Sequence, residues 1–284
     1  MLNSGVGGQV EFRLLGAMEV LKDGTRVNLG GAREQTLLGV LLLHANEPVS
    51  VGYLVESVWD RPLASPETNL RSYVSRLRRR LHAVLDGGDR LLTRSGGYLF
   101  VVQSGELDAE VFERLLDDAE RELAADDLPR AVTALRQAVG LWQGAPMQGG
   151  RAGPALRSEL TRLSERRLWA LEQYHHTRIR LGEHAAASDD LHWLVTHHPL
   201  REELWALLMV ALYRSGRRAE ALDAYTRVRR RLADELGIAP GPRLRQLHAA
   251  VLHDDPVLAL RRPIGDLAEP EPQPTYLSRQ SQPT

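Results

Sequence analysis

The chain has no cysteine among its 284 residues. Disulfides, thiol nucleophiles and cysteine-ligated zinc are excluded, and an oxidising compartment would find nothing to act on. No run approaches the roughly 18 apolar residues of a membrane span. The first residues, MLNSGVGGQ, lack the basic-then-apolar plan of a signal peptide. These absences lead us to expect a cytoplasmic protein with no membrane partner. Aromatic residues are only 5% of the chain, while Leu, Ala and Arg dominate, a composition that favours a mostly helical fold. No phosphate-binding loop G-x-x-x-x-G-K-[ST] occurs, so a nucleotide switch is not encoded. No Ser/His/Asp order with a nucleophile-elbow glycine pattern is present either, and no enzyme is expected.

Other chemistry-bearing residues read blandly. His175, His176, His184, His192, His197 and His198 crowd the second half, but no pair has the i,i+4 or HExxH spacing of a zinc site. No metal and no cofactor are expected. Asp189 with Asp190, and Asp254 with Asp255, read as pairs flanking helices, where capping explains them. Trp59, Trp142, Trp169, Trp193 and Trp205 lie in apolar patterns and read as core.

Against this background one stretch stands out, SPETNLRSYVSRLRRRL at 65–81. Ser65 suits a helix cap, Pro66 the first helical position, and Glu67 the positive end of the dipole. Leu70, Val74, Leu77 and Leu81 make one apolar stripe, with Tyr73 on its flank. Thr68, Ser72, Ser75 and Arg79 lie opposite. Arg71 and Arg78 border one side of that polar face, and Asn69 and Arg76 the other. A helix that packs by one side and offers guanidinium groups and short hydroxyls on the other suits a DNA major groove. A merely solvated face is the competing reading. The residues that follow, RLLTRSGGYLFVV at 90–102, read as two strands about a turn at 95–97. A recognition helix followed by a hairpin is the layout of a winged helix. The net charge of -1 is uneven, with about +4 in residues 65–94, which suits a nucleic-acid contact.

The rest of the chain fits around this element. Residues 1–9 are Gly-rich and expected to be flexible. Residues 11–15, 18–21 and 26–29 read as a small antiparallel sheet with a turn at 22–24. Helices are expected at 32–44 and 51–59, joined by a linker at 47–49, with a loop at 60–64 before the recognition helix. Beyond a polar connector at 103–105 every segment reads helical: 108–125, 128–142, 154–181, 185–197, 201–215, 217–236 and 241–252. Trp205, Leu208, Gly216, Ala221 and Tyr225 match the tetratricopeptide pattern in type and spacing. Stacked helix pairs of this kind hold partner proteins on a concave surface, or serve only as a dimerisation or packing module. Residues 261–284, rich in Pro, Glu, Gln and Ser, read as a disordered tail or linker. The expected fold is mainly α, with an N-terminal winged helix-turn-helix at 10–103 and a tetratricopeptide-like all-α domain at 106–258.

Both halves resemble the Streptomyces antibiotic regulatory protein family over about residues 10–255. In the first half the carriers are LLLHAN at 41–46, Val49 and Ser50, Leu54 and Val55, Val58 and Trp59, and LRSYVSRLRR at 70–79, which look like an OmpR-type winged helix. In the second they are LDAE at 107–110 with Phe112, Ala138 with LWQG at 141–144, ALYRSGR at 211–217, EAL at 220–222 and ELGIAPG at 235–241, similar to the bacterial transcriptional activation domain. The resemblance implies an activator that binds direct repeats in double-stranded promoter DNA near the −35 element. It implies a dimer or side-by-side pair on that DNA, recruitment of RNA polymerase through sigma and alpha subunits, and control of an antibiotic gene cluster. Carried over by position, Thr68, Arg71, Ser72, Ser75 and Arg76 face the major groove. Arg78 and Arg79 reach phosphate or groove edge, Arg94 of the wing enters the minor groove, and Arg33 contacts a phosphate. A protein-interaction adaptor, or a repressor using the same helix, are the alternatives.

Overall fold

The computed structural model describes residues 9–60, 65–82, 84–85, 88–149 and 152–259. The expectations for residues 1–8, for most of the loop at 60–64 and for 261–284 lie outside these. By packing, the chain divides into two compact units, Met1–Tyr174 and His175–Thr284.

The first unit opens with an antiparallel sheet of β1 (Val10–Arg13), β2 (Glu19–Lys22) and β3 (Thr25–Arg26), in that order. After the break at Gly30 and Gly31 comes α1 (Ala32–Leu43), whose Leu37, Leu38, Leu41 and Leu42 are fully buried. Residues 47–49, expected as a linker, instead belong largely to a strand, β4 (Pro48–Ser50). Three residues are too few to show an alternating pattern; pairing with a distant partner makes them a strand. Ser50 also caps α2 (Val51–Val58), its hydroxyl accepting from the Tyr53 N–H at 3.2 Å. Next come α3 (Pro66–His82) and the hairpin of β5 (Leu91–Arg94) and β6 (Gly97–Phe100). The second sheet has the order β4-β6-β5, all antiparallel.

This sheet-and-helix body shares its core with α4 (Asp108–Ala124), α5 (Leu128–Gly140) and the start of α6 (Pro154–Arg180). Phe12 lies edge-on to Phe100 at 5.5 Å, and Phe112 edge-on to Trp142 at 5.3 Å. The motif residue Asp108 explains part of the join. Its carboxylate accepts the backbone N–H groups of Leu14 at 2.8 Å and Leu15 at 2.9 Å, which β1 leaves open where it ends. Burial raises this carboxyl above its ordinary value, and the backbone N–H donors pull it partway back. The LWQG segment and the residues after it close the same edge: Leu15 O accepts from Gln143 N at 2.7 Å, and Leu14 O from Met147 N at 2.9 Å.

The second unit holds α7 (His184–His197), α8 (Glu202–Arg214), α9 (Arg218–Leu236), α10 (Pro242–His253) and a short 3₁₀ turn at Pro256–Ala259. Helices α7, α8 and α9 pack in sequence as neighbours. Every residue from Leu204 to Leu212 of α8 is buried, so α8 is the central layer. Trp205 and Leu208 fill the space between helices, and Ala221 is buried at the crossing. Gly216 turns the chain between α8 and α9 at φ 75°, a left-handed conformation that costs glycine little.

Trp193 and the Asp189–Asp190 pair depart from the sequence expectation. Trp193, expected in the core, is 57% exposed and stacks on His197 at 3.9 Å. It sits on the side of α7 opposite the buried Leu191 and Val195. Asp189 and Asp190 do not flank a helix but lie inside α7, where Asp190 accepts from the buried Arg178 guanidinium. Asp254 does cap, at the C-terminal end of α10, and its carboxylate accepts the Tyr213 hydroxyl at 2.7 Å. Among the described residues no helix is long and apolar enough to cross a membrane.

Candidate nucleic-acid interface

The site is built on α3. Leu70, Val74, Leu77 and Leu81 are all at most 2% exposed. Each such side chain contributes roughly 1.5–3 kcal/mol by leaving water, so the helix is seated firmly by its apolar stripe. Opposite that stripe Thr68, Asn69, Arg71, Ser72, Ser75 and Arg79 are exposed. Arg71 makes only a loose pair with Glu67, at 4.0 Å, and its side chain is 74% exposed. These residues form one continuous outward row of two guanidinium groups and short polar side chains.

Three of the expected arginines are placed differently, half-buried and already engaged. Arg76 donates through Nε to Glu34 Oε1 at 2.8 Å and through Nη1 to Ser72 Oγ at 3.1 Å. Its guanidinium also covers the Tyr73 ring at 4.6 Å. Arg78 donates to Leu91 O at 2.9 Å and to Thr93 Oγ1 at 2.7 Å, which ties α3 to the first strand of the hairpin. Arg33 donates to Val58 O at 3.2 Å and lies over the Trp59 ring at 5.6 Å, joining the start of α1 to the end of α2. Arg94, at the tip of the hairpin, is exposed and donates to its neighbour's carbonyl, Thr93 O, at 3.2 Å.

The structure thus brings Thr68, Arg71, Ser72, Ser75 and Arg79 to one open face, and sets Arg94 out on a two-residue turn. Arg76 and Arg78 flank that face with part of their donors used inside the protein. Glu34 and Thr93 join the site through Arg76 and Arg78, and the sequence alone does not mark them. Neither has a periodic or motif signal; only the three-dimensional placement of α1 and β5 beside α3 reveals them. The same holds for Asn28, whose carbonyl accepts from Arg80 at 3.5 Å.

A helix-turn-helix body with an arginine-edged third helix and a β-hairpin wing, followed by tetratricopeptide-like helices, defines a two-part transcription regulator. The family described as "Transcriptional regulatory protein, C terminal" matches residues 24–100, and the "Bacterial transcriptional activator domain" matches residues 107–252. The chain is 40% identical over 254 residues to the regulatory protein AfsR of Streptomyces coelicolor, covering 89% of this chain and 25% of that protein. It is 35% identical to the regulatory protein DnrI of Streptomyces peucetius, covering 87% of this chain and 93% of that protein. Among solved structures, Mycobacterium tuberculosis EmbR in complex with a low-affinity phosphopeptide matches with a TM-score of 0.82 at 30% identity, over 92% of this chain and 68% of that one. The chain belongs to the Streptomyces antibiotic regulatory protein family, whose members are transcriptional regulators. It spans about a quarter of the length of AfsR and nearly the whole of DnrI.

Proposed function

We propose that this protein is a sequence-specific DNA-binding activator. Helix α3 lies in the major groove, with Thr68, Arg71, Ser72, Ser75, Arg76 and Arg79 toward base edges and phosphates. Arg78 stands at the groove edge, Arg94 enters the adjacent minor groove, and Arg33 reaches a phosphate across the start of α1. Two protomers bind side by side on direct repeats about one helical turn apart, near the −35 element. The helical domain then recruits RNA polymerase through its sigma and alpha subunits, and the regulated genes form an antibiotic or secondary-metabolite cluster. Such a protein works in the cytoplasm, on the nucleoid.

The observation that carries this reading is the outward row on α3, seated by four fully buried apolar side chains and left open by the rest of its unit. A gel-shift titration tests it, using promoter fragments and a scrambled duplex of equal length at several salt concentrations. Arg71→Ala should weaken the promoter complex by roughly tenfold and relax discrimination at one base pair. Equal affinity of the wild type for promoter and scrambled DNA would contradict the proposal.

A further inference from the structure

We infer that Glu34 is a specificity-determining positioning residue, which fixes the way Arg76 presents its guanidinium to DNA. This rests on the reading of α3 as the major-groove helix. Glu34 lies in the first turn of α1 and is 8% exposed. Its carboxylate takes the Nε–H of Arg76 at 2.8 Å. Two further contacts hold the same group: Ser72 Oγ accepts from Nη1 at 3.1 Å, and the Tyr73 ring lies under the guanidinium at 4.6 Å. Tyr73 in turn rests on Trp59 at 5.9 Å, and Arg33 covers Trp59. The start of α1, the end of α2 and the middle of α3 therefore meet around one arginine.

The consequence is chemical. An arginine fork can meet a guanine edge side-on, through Nε and one terminal nitrogen, or end-on, through both terminal nitrogens. Glu34 occupies Nε, so the side-on mode is closed. The end-on pair remains, through Nη2 and the Nη1 proton that Ser72 does not take, with the Arg76 side chain still 37% exposed. Ser72, accepting from Arg76, keeps its own hydroxyl proton to donate. A long flexible side chain is thereby reduced to one mode of presentation before DNA arrives, which lowers the entropy cost of a specific contact and bars competing poses. Without the carboxylate, Arg76 is free to swing to a phosphate, where it carries no sequence information.

The test compares full-length wild type with Glu34→Gln and Arg76→Lys. Each is used to select binders from a randomised duplex library, followed by titration of selected and scrambled duplexes. Wild type should show one strongly preferred base pair per half-site that Glu34→Gln loses. The specific-to-scrambled affinity ratio should fall about tenfold, with the other positions unchanged. Arg76→Lys should lose the same base pair, because an ammonium cannot make the paired contact. Melting curves verify that both variants fold. A purely electrostatic role for Glu34 would strengthen binding to all duplexes alike and leave the ratio untouched, which overturns the inference. An unchanged preference in Glu34→Gln does the same. Absence of any sequence preference in the wild type instead overturns the DNA-binding proposal.

Discussion

At the scale of single residues, charge in this protein serves the fold as much as the surface. Asp108 receives two backbone N–H groups that have no strand partner. Asp108→Ala would leave those donors buried and unpaired, and we expect a loss of about 2–4 kcal/mol in a denaturant titration. A loss below about 0.5 kcal/mol would show that water replaces the carboxylate at no cost. Arg78 makes a different case. Its bonds to Leu91 O and Thr93 Oγ1 brace the hairpin against α3. Arg78→Ala should weaken promoter and scrambled DNA together, by a similar factor, because it loosens the wing instead of removing a base contact. A selective loss on promoter DNA would mark Arg78 as a base reader.

Among the elements, α3 was the most legible, and its neighbours explain why others were not. The stripe of Leu70, Val74, Leu77 and Leu81 repeats at the helical period, so one sequence window contains all the information needed to orient it. The hairpin was legible through its Ser-Gly-Gly turn. Strand β4 was not, because its only reason to be a strand is pairing with β6, far along the chain. Trp193 has apolar neighbours in sequence that point to the core, yet it stands on the helix side opposite Leu191 and Val195. Within the candidate site the open row on α3 followed from periodicity. The engagement of Arg76 by Glu34 and of Arg78 by Thr93 did not, since contacts between elements leave no local pattern. The wing offers its own test. A Cβ at Gly97 would stand 2.0 Å from the Val49 carbonyl oxygen, a backbone atom that cannot step aside. Gly97→Ala should therefore break the β4–β6 pairing, cost about 2 kcal/mol or more, and lower DNA affinity. Wild-type melting with full affinity would contradict the close approach.

Taken as a whole molecule, the chain joins the winged-helix body to a helical unit that carries two acid-sensitive histidines. His175 and His176 are each held down to about 4, first by burial and then by nearby arginines, Arg178 for His175 and Arg180, Arg243 and Arg214 for His176. Both are neutral in the folded protein at pH 7. In the unfolded chain each would bind a proton near 6.5, so the unfolded state takes up more protons as the pH falls below that value. The stability they permit is complete above about pH 6.5 and is lost progressively toward pH 4, on the order of 3 kcal/mol per histidine. Hydrogen exchange from pH 7.5 to 4.5 should show α7 and α8 losing protection, with a shallower loss in His175→Asn. An identical slope in the variant would remove His175 as the cause.

The most direct test of the central idea is hydroxyl-radical protection mapping of one bound promoter. The expected result is two patches of protection about one helical turn apart, on one face of the duplex and overlapping the −35 element, with both patches abolished together by Arg71→Ala/Arg79→Ala. Uniform, sequence-independent protection, or patches unaffected by the double variant, would contradict the placement of α3 in the major groove.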